Sequence, residues 1–207
     1  MIAVVDYGMG NLRSVVKALE KVGGQCTLTS DPEVVEQADK VVVPGVGSFG
    51  QAMTEIRSRR LETPIKNAIA SKKPFLGICL GLQVLFESSE ESSEAKGLGI
   101  IAGVVKRFDF KHSSKKLRIP HIGWNEIEPK KEKKTFFDKI KKPSFFYFVH
   151  SFYGCPDDSE VVAATCSYGV EFACAIAKDN IWAVQFHPEK SQDDGLQLLT
   201  NFVRRTC

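Results

Sequence analysis

The stretch Phe75-Leu-Gly-Ile-Cys79-Leu-Gly-Leu-Gln83 joins an apolar run, a cysteine between two glycines and a second apolar segment. Residues 75–78 predict a buried strand, and residues 80–86 predict the start of a helix. Small residues on both sides of Cys79 allow the sharp turn that lifts a side chain off the edge of a sheet. The stretch therefore predicts an α/β protein with a nucleophilic thiol at a strand-to-helix junction.

Strand and helix patterns alternate on the N-terminal side of this stretch. Continuous apolar runs predict strands at residues 2–6, 25–29 and 41–43. Amphipathic patterns predict helices at residues 11–22, 49–59 and 64–71, and Asp31-Pro32 opens a further helical turn. We expect an α/β fold in which a mixed, mainly parallel sheet carries helices on both faces.

The pattern changes after residue 98, where short strand-like pieces are separated by turns. These pieces are residues 103–108, 126–128, 145–149, 161–165, 173–177 and 181–185. They predict antiparallel or mixed edges on the same sheet. Residues 192–205 predict a final helix, and the polar stretch 88–94 predicts an exposed loop. Because no repeat or linker interrupts the chain, residues 1–207 are predicted to form one domain.

Composition argues against several classes of function. A net charge of +3 over 207 residues is too small to indicate a nucleic-acid partner. No apolar run is long enough to cross a membrane, and Asp6 follows the first apolar residues too closely for a signal peptide. We therefore expect a cytoplasmic protein. Six cysteines without Cys-x-x-Cys spacing predict reduced thiols, and neither a metal nor a cofactor.

A thiolate nucleophile needs a general base that a third group holds in place. His187 in Gln185-Phe-His187-Pro-Glu189 follows an apolar strand, and strand ends are where open α/β sheets bind ligands. Glu189 can orient the imidazole and stabilise its charged form. The helix N-terminus after Cys79 favours the thiolate, and the N–H of Leu80 can bind a developing oxyanion. Of the remaining histidines, His112 and His121 are expected to be structural, and His150 is either a core histidine or part of a substrate-holding segment.

Together, Gly77-Ile-Cys79-Leu-Gly81 and Gln185-Phe-His187-Pro-Glu189 resemble the class I, or triad, glutamine amidotransferases. The resemblance implies that Cys79 attacks the side-chain amide of glutamine, His187 transfers protons and Glu189 holds His187. The reaction would pass through a glutamyl thioester and release ammonia and then glutamate. Gln83 matches a position at which this family contacts its substrate.

Four further blocks, of which residues 123–125 and 147–151 are not needed for a triad, stand at residues 5–14, 44–47, 120–125 and 147–153. They resemble the glutaminase subunits of imidazole glycerol phosphate synthases, and the similarity extends from residue 2 to the C-terminal helix. This resemblance implies a heterodimer with a cyclase subunit that has a (β/α)8 barrel. The cyclase would use the ammonia to make imidazole glycerol phosphate and aminoimidazole carboxamide ribotide in histidine biosynthesis.

The same resemblance implies roles for residues around the nucleophile. Gly45, Gly47 and Leu80 would complete an oxyanion hole, although an ordinary glycine turn is the alternative for the first two. Backbone groups of Ser151 and Phe152 would hold the α-amino and carboxylate groups of glutamine. The residues expected near the cyclase are Asn11, Trp124, Tyr147 and Lys190.

Trp124 and Asn125 lie in a predicted loop, where they are interface anchors if exposed and packing residues if buried. The lysine-rich segment 130–142 favours a solvated loop over a phosphate or nucleic-acid patch, because Glu132 and Asp138 interrupt it.

Three other functions stay open on the sequence alone. A paralogous glutaminase would supply ammonia to a different synthase, for example one for surface-sugar modification. A cysteine hydrolase or peptidase of the same architecture would lack specificity for glutamine. A non-catalytic binding domain would keep the fold without turnover.

Overall fold

The computed structural model describes residues 1–110, 117–133 and 135–206. The predictions that fall on His112, Lys134 and Cys207 lie outside the described residues. The strands are β1 (Ile2–Val5), β2 (Cys26–Thr29), β3 (Lys40–Gly45), β4 (Phe75–Cys79), β5 (Phe86–Ser89), β6 (Ser92–Lys96), β7 (Ile101–Arg107), β8 (His121–Pro129), β9 (Ser144–His150), β10 (Phe152–Pro156), β11 (Val162–Tyr168), β12 (Val170–Lys178) and β13 (Ile181–Val184). The helices are α1 (Leu12–Lys21), α2 (Pro32–Gln37), α3 (Phe49–Ser58), α4 (Glu62–Ala70), α5 (Leu80–Gln83) and α6 (Gln192–Arg204). Among the described residues, none of these helices is both long and apolar enough to span a membrane.

The main sheet is parallel in one half and antiparallel in the other. Within the described part of the chain its strand order is β2-β1-β3-β4-β13-β12-β11-β8-β9. Neighbours from β2 to β13 run parallel. Neighbours from β13 to β9 run antiparallel. The predicted α/β fold with a mixed sheet is confirmed, and so is the change to antiparallel pairing after residue 98.

Helices cover both faces of the parallel half. Ile2 and Val4 of β1 belong to a core that also contains residues of α1 and α6. Ala3 and Val5 belong to the opposite core, which contains residues of α2, α3 and α4. Successive residues of a strand point to opposite faces, so a strand buried on both sides appears in the sequence as one continuous apolar run.

A smaller sheet, with the order β10-β7-β5-β6 in the described residues, has no counterpart in the sequence prediction. The polar stretch 88–94 belongs to β5, β6 and the turn between them, so the prediction of an exposed loop is wrong. Ser89 pairs with Val105 of β7 and is only 3% exposed. Pairing with β7, rather than a local apolar pattern, makes this segment a strand.

Strand β8 is much longer than the strand predicted at residues 126–128. It begins at His121, so the prediction of a loop around Trp124 and Asn125 is wrong. Trp124 pairs with Tyr147 of β9 in antiparallel register. Gly123 lies in this strand with a φ of 131°, and its lack of a side chain interrupts the alternating pattern by which a strand is recognised.

The described part of the lysine-rich segment 130–142 lies outside the regular strands and covers part of the core. Its described exposed lysines are Lys131, Lys139, Lys141 and Lys142. Their exposure agrees with the predicted solvated loop. Phe136 and Phe137 between them are buried against the main sheet.

Three strand ends meet at one edge of the main sheet. Strand β4 lies between β3 and β13. Gly45 at the end of β3 pairs with Cys79, and Val184 at the end of β13 pairs with Ile78. Because the carboxyl ends of parallel strands share an edge, residues that follow these strands are brought together. This edge carries the candidate site.

Candidate active site

Cys79 occupies a strained turn between β4 and α5. Its backbone has φ 56° and ψ −106°, a combination that residues with side chains rarely adopt. A Cβ on Gly77 would lie 2.5 Å from the carbonyl oxygen of Gly81, and a Cβ on Gly81 would lie 1.7 Å from that of Val43. Both flanking glycines are therefore required. The helix ends at Gln83, short of the predicted residue 86.

His187 and Glu189 lie in the short turn that follows β13. Nδ1 of His187 is 2.8 Å from Oε1 of Glu189, and the two side chains are only 3% and 2% exposed. The backbone N–H of His187 donates to the carbonyl oxygen of Tyr147 at 2.9 Å. The hydroxyl of Ser191 donates to the carbonyl oxygen of His187 at 2.6 Å. Because an ionised carboxylate only accepts, Nδ1 carries a proton and Nε2 remains for chemistry.

The charge of His187 depends on its two polar neighbours as well as on its burial. Burial lowers the pKa of His187, but Cys79 and Glu189 together raise it above its usual range. Nε2 of His187 is buried and has no hydrogen bond of normal geometry among the described residues, although Cys79 is near enough to raise the pKa of His187. A thiolate beside an imidazolium is the activated form of a cysteine nucleophile, and Nε2 is placed to give or take a proton.

The other described cysteines have no such environment. The free thiols of the described chain are Cys26, Cys79, Cys155, Cys166 and Cys174. Burial raises the pKa of Cys26 to about 11 and that of Cys166 to about 12, so both stay protonated at neutral pH. Among the described residues, no group of three or more His, Cys, Asp or Glu side chains is arranged to hold a metal ion.

A cavity of about 420 Å³ opens beside Cys79. The predicted site residues that line it are Gly47, Cys79, Leu80, Gln83, Ser151, Phe152 and Lys190. Its volume lies in the range of small-molecule sites. The structure thus brings the predicted nucleophile and most of the predicted substrate-binding residues together, and it adds Lys190, which the sequence assigns to an interface.

At Gly45 and Gly47 the backbone at the end of β3 lies against the N-terminal loop. A Cβ on Gly45 would lie 1.8 Å from the hydroxyl of Tyr7, and a Cβ on Gly47 would lie 2.3 Å from Cε of Met9. Gly47 also has a φ of 116°. Only glycine therefore fits at either position. Bare backbone next to Cys79 is the geometry that an oxyanion-binding segment requires.

Two residues of the site have no assigned role in the sequence prediction. Gln185 is fully buried, and its Nε2 lies 3.6 Å from Sγ of Cys79. Glu91 lines the cavity and accepts a hydrogen bond from the backbone N–H of Phe49 at 2.7 Å. Gln185 stands in the same sequence block as His187, so its position next to the predicted base is a signal that the sequence contains. Glu91 lies in the misassigned polar stretch, and only the β5–β6 pairing brings it here.

Two of the predicted interface residues, Trp124 and Tyr147, lie on the outer side of β8 and β9, and Lys190 lies in the turn after β13. We call the set Ile122, Trp124, Phe145 and Tyr147 the β8–β9 face. Its members Ile122, Trp124 and Phe145 are 58%, 47% and 45% exposed. The rings of Trp124 and Tyr147 are 6.3 Å apart, and Nζ of Lys190 lies 5.7 Å from the centroid of the Tyr147 ring. Trp124 is thus exposed rather than buried, which is the condition for an interface anchor.

Asn11, the fourth predicted interface residue, is exposed at the N-cap of α1. Its neighbour Gly10 lies against β3, since a Cβ there would be 3.4 Å from Cα of Gly45. Asn11 therefore belongs to the loop that borders the backbone next to Cys79.

The fold and this site define a class of protein. The family model described as class-I glutamine amidotransferase matches residues 3–206, and the chain belongs to that family. A solved structure described as a glutamine amidotransferase has a TM-score of 0.73 at 17% identity, covering 98% of this chain and 99% of its own. The structure of PurLQS from Thermotoga maritima also has a TM-score of 0.73, at 19% identity, covering 97% of this chain and 96% of its own.

Much more similar relatives lie within one branch of the family. Imidazole glycerol phosphate synthase subunit HisH of Gloeothece citriformis (strain PCC 7424) is 53% identical over 206 residues, covering 99% of this chain and 96% of the relative. HisH of Syntrophotalea carbinolica is 50% identical over 204 residues, covering 98% of each chain. The resemblance inferred from the sequence blocks is confirmed, and the chain groups with the HisH subunits.

Proposed function

We propose that this chain is the glutamine-hydrolysing subunit of imidazole glycerol phosphate synthase in histidine biosynthesis. The observation that carries the proposal is the position of Cys79, in a cavity with Gln83 and electrostatically coupled to the His187–Glu189 pair. Support for the pathway comes from HisH relatives that are about half identical over nearly the whole chain. A cytoplasmic location follows from that pathway and is part of the proposal.

The first half of the reaction forms a thioester. Sγ of Cys79 attacks the side-chain carbonyl carbon of glutamine and forms a C–S bond. Negative charge develops on the carbonyl oxygen, where the N–H of Leu80 and the backbone of residues 45–47 act as donors. Nε2 of His187 then gives its proton to the leaving nitrogen, the C–N bond breaks and ammonia departs.

The second half consumes water. Nε2 of His187, now without its proton, takes one from a water molecule as that water attacks the thioester. The C–S bond breaks, glutamate forms, and Cys79 leaves as a thiolate beside a charged His187. Glu189 holds the Nδ1–H tautomer in both halves. The net change is glutamine plus water giving glutamate plus ammonia.

Gln83 presents its amide oxygen to the substrate. Its Nε2 already donates to the carbonyl oxygen of Phe152 at 3.0 Å and to Oε1 of Gln185 at 3.1 Å. The remaining oxygen accepts from an N–H group of glutamine. Glu91 offers a carboxylate to the α-ammonium group, and backbone groups of Ser151 and Phe152 hold the α-carboxylate.

A cyclase subunit with a (β/α)8 barrel is the proposed partner, bound at the β8–β9 face, Lys190 and Asn11. Exposed aromatic side chains of this kind are typical interface anchors. The β8–β9 face is connected directly to the proposed proton-transfer residue, because the backbone N–H of His187 donates to the carbonyl oxygen of Tyr147. Ammonia released at Cys79 would pass through this interface to the cyclase.

The partner assignment is tested by glutamate release. The purified chain is mixed with a cyclase of the histidine pathway, with and without the ribotide that the cyclase converts. We expect little glutaminase activity alone and a large increase with the cyclase and ribotide. If no histidine-pathway cyclase stimulates the chain and another synthase does, the paralogous glutaminase is the correct assignment.

A matched pair of variants tests the docking surface. Trp124→Ala should weaken cyclase binding about tenfold or more, because large aromatic anchors carry most of the energy of an interface. Leu28→Ala is the control, since Leu28 is 41% exposed on β2 at the opposite edge of the sheet. Calorimetric titration measures both dissociation constants. Equal constants for the two variants would place the cyclase elsewhere.

A further inference from the structure

Gln185 makes a contact with the nucleophile that the triad does not account for. It follows β13, is 0% exposed, and its Nε2 lies 3.6 Å from Sγ of Cys79. We propose that Gln185 is a catalytic residue whose carboxamide N–H donates a hydrogen bond to the Cys79 sulfur and stabilises the thiolate. This inference rests on the proposed function above.

The orientation of the Gln185 amide is fixed by a backbone atom. The carbonyl oxygen of Phe152 can only accept, so Gln83 must present Nε2 to it, at 3.0 Å. The same Nε2 is 3.1 Å from Gln185, which must therefore present its oxygen on that side. The N–H groups of Gln185 are left for the sulfur. The reversed arrangement would place the amide oxygen of Gln83 3.0 Å from the Phe152 carbonyl oxygen, with no proton between the two acceptors.

The Phe152 carbonyl is itself held from a second direction. Nδ1 of His150 lies 2.9 Å from it, so His150 carries its proton on Nδ1. Nε2 of His150 then accepts from Nδ1 of His121 at 2.9 Å, and Nε2 of His121 accepts from the Asn125 amide at 3.3 Å. Burial lowers the pKa of His150 to about 3 and that of His121 to about 4. Both rings are therefore neutral, as this series of hydrogen bonds requires.

The backbone of Gln185 is also anchored, because its N–H donates to the carbonyl oxygen of Cys174 at 2.8 Å. Gln185 is therefore held at its backbone and at its side-chain oxygen before substrate binds. Such a preorganised donor costs no reorganisation during the reaction.

A neutral donor complements the charge of His187. Hydrogen bonds to ionised groups are stronger than those between neutral groups, and more so away from water. His187 loses its proton to the leaving ammonia, whereas Gln185 keeps its N–H groups throughout. It can therefore stabilise the sulfur as attacking thiolate and again as the leaving group when water cleaves the thioester.

Two substitutions at this position test the proposal. Gln185→Glu keeps the shape and can still accept from Gln83, but it places a carboxylate against the sulfur. Gln185→Leu removes the donor without adding charge. Gln25→Glu is the matched control, because Gln25 is exposed just before β2, at the other edge of the sheet.

The primary readout is the rate of Cys79 alkylation by iodoacetamide as a function of pH, which needs neither glutamine nor a partner. We expect both Gln185 variants to react about tenfold more slowly at neutral pH, with the profile moved to higher pH, and the control to match wild type. The cyclase-stimulated kcat should fall by a similar factor, with KM changed less than about threefold. Wild-type profiles in both Gln185 variants would overturn the proposal, even if the chain proves to be a glutaminase.

A measurement on the wild-type protein covers the case in which the variants fail to fold. With the glutamine side-chain amides labelled with 15N, the carboxamide proton of Gln185 should move as Cys79 ionises, and this movement should vanish after Cys79 is alkylated. A resonance that ignores both events would contradict the hydrogen bond.

Discussion

Two groups of buried histidines in this chain have opposite charge behaviour. His187 lies beside a carboxylate and a thiol, and its pKa is raised despite burial. His121 and His150 contact each other and a set of aromatic rings, and burial lowers the pKa of both. His121 is stacked on Phe148 and Tyr168, with ring centroids 4.8 Å and 4.0 Å apart.

Burial alone therefore does not assign a role to a histidine. A buried imidazole becomes a proton-transfer group where an acceptor fixes one nitrogen and a reactive group couples to the other. Without a carboxylate, the same ring remains neutral and acts as a fixed hydrogen-bond link. The sequence around a single histidine cannot distinguish a proton-transfer residue from a neutral structural one, because the deciding neighbours of His121 and His150 lie on other strands.

The largest expected effect comes from removing the carboxylate that distinguishes His187. Glu189→Gln should lower kcat about 10³–10⁴-fold, since the imidazole loses both its orientation and the charge that stabilises its protonated form. KM for glutamine should change little. Steady-state glutaminase assays with the cyclase measure both constants, and Glu160→Gln, at an exposed residue before β11, is the control.

The same variant should make His187 resemble the other pair. Its pKa should fall, because burial then acts with one opposing neighbour fewer. NMR titration of the histidine side chains measures this shift. A kcat within tenfold of wild type, with an unchanged His187 titration, would show that Glu189 is not what distinguishes His187 from His121 and His150.

A smaller effect is expected on the pH dependence of stability. The unfolded chain protonates His121 and His150 near their ordinary pKa, about 6.5, whereas the folded chain does so only near pH 4 and pH 3. The stability contributed by these neutral rings is present above about pH 6.5, and it is lost as the pH falls from about 6.5 towards the folded pKa values of about 4 and about 3. His187 has the opposite sign: with its raised pKa, its contribution is lost as pH rises.

His121→Phe should keep the ring stack and remove one of the two titrating groups. The free energy of unfolding of this variant should therefore fall less between pH 7 and pH 5 than that of wild type. Urea denaturation at the two pH values measures the difference. An equal or larger fall in the variant would contradict the assignment of His121 as a neutral buried ring.

The features that sequence predicts correctly here are set by neighbours along the chain. The turn at Cys79 follows from Gly77 and Gly81, because a Cβ at either position would clash with neighbouring backbone atoms. His187 and Glu189 are two residues apart, so one short block contains the whole pair.

The features that sequence misses depend on distant pairing. Gln185 meets Gln83 across 102 positions of the chain, and His121 meets His150 across 29. Residues 88–89 and 92–94 become strand only by pairing in the second sheet, because serine and glutamate give no alternating apolar pattern.

We expect Cys79 to be the residue that takes the glutamyl group. The most direct test exposes the chain, with its cyclase, to a glutamine-mimicking electrophile and locates the adduct by mass spectrometry of peptides. We predict one adduct per chain, on Cys79, protected by glutamine and weakened by Gln83→Ala, with no glutaminase turnover in Cys79→Ala. An adduct on another cysteine, or full turnover in Cys79→Ala, would show that Cys79 is not the nucleophile.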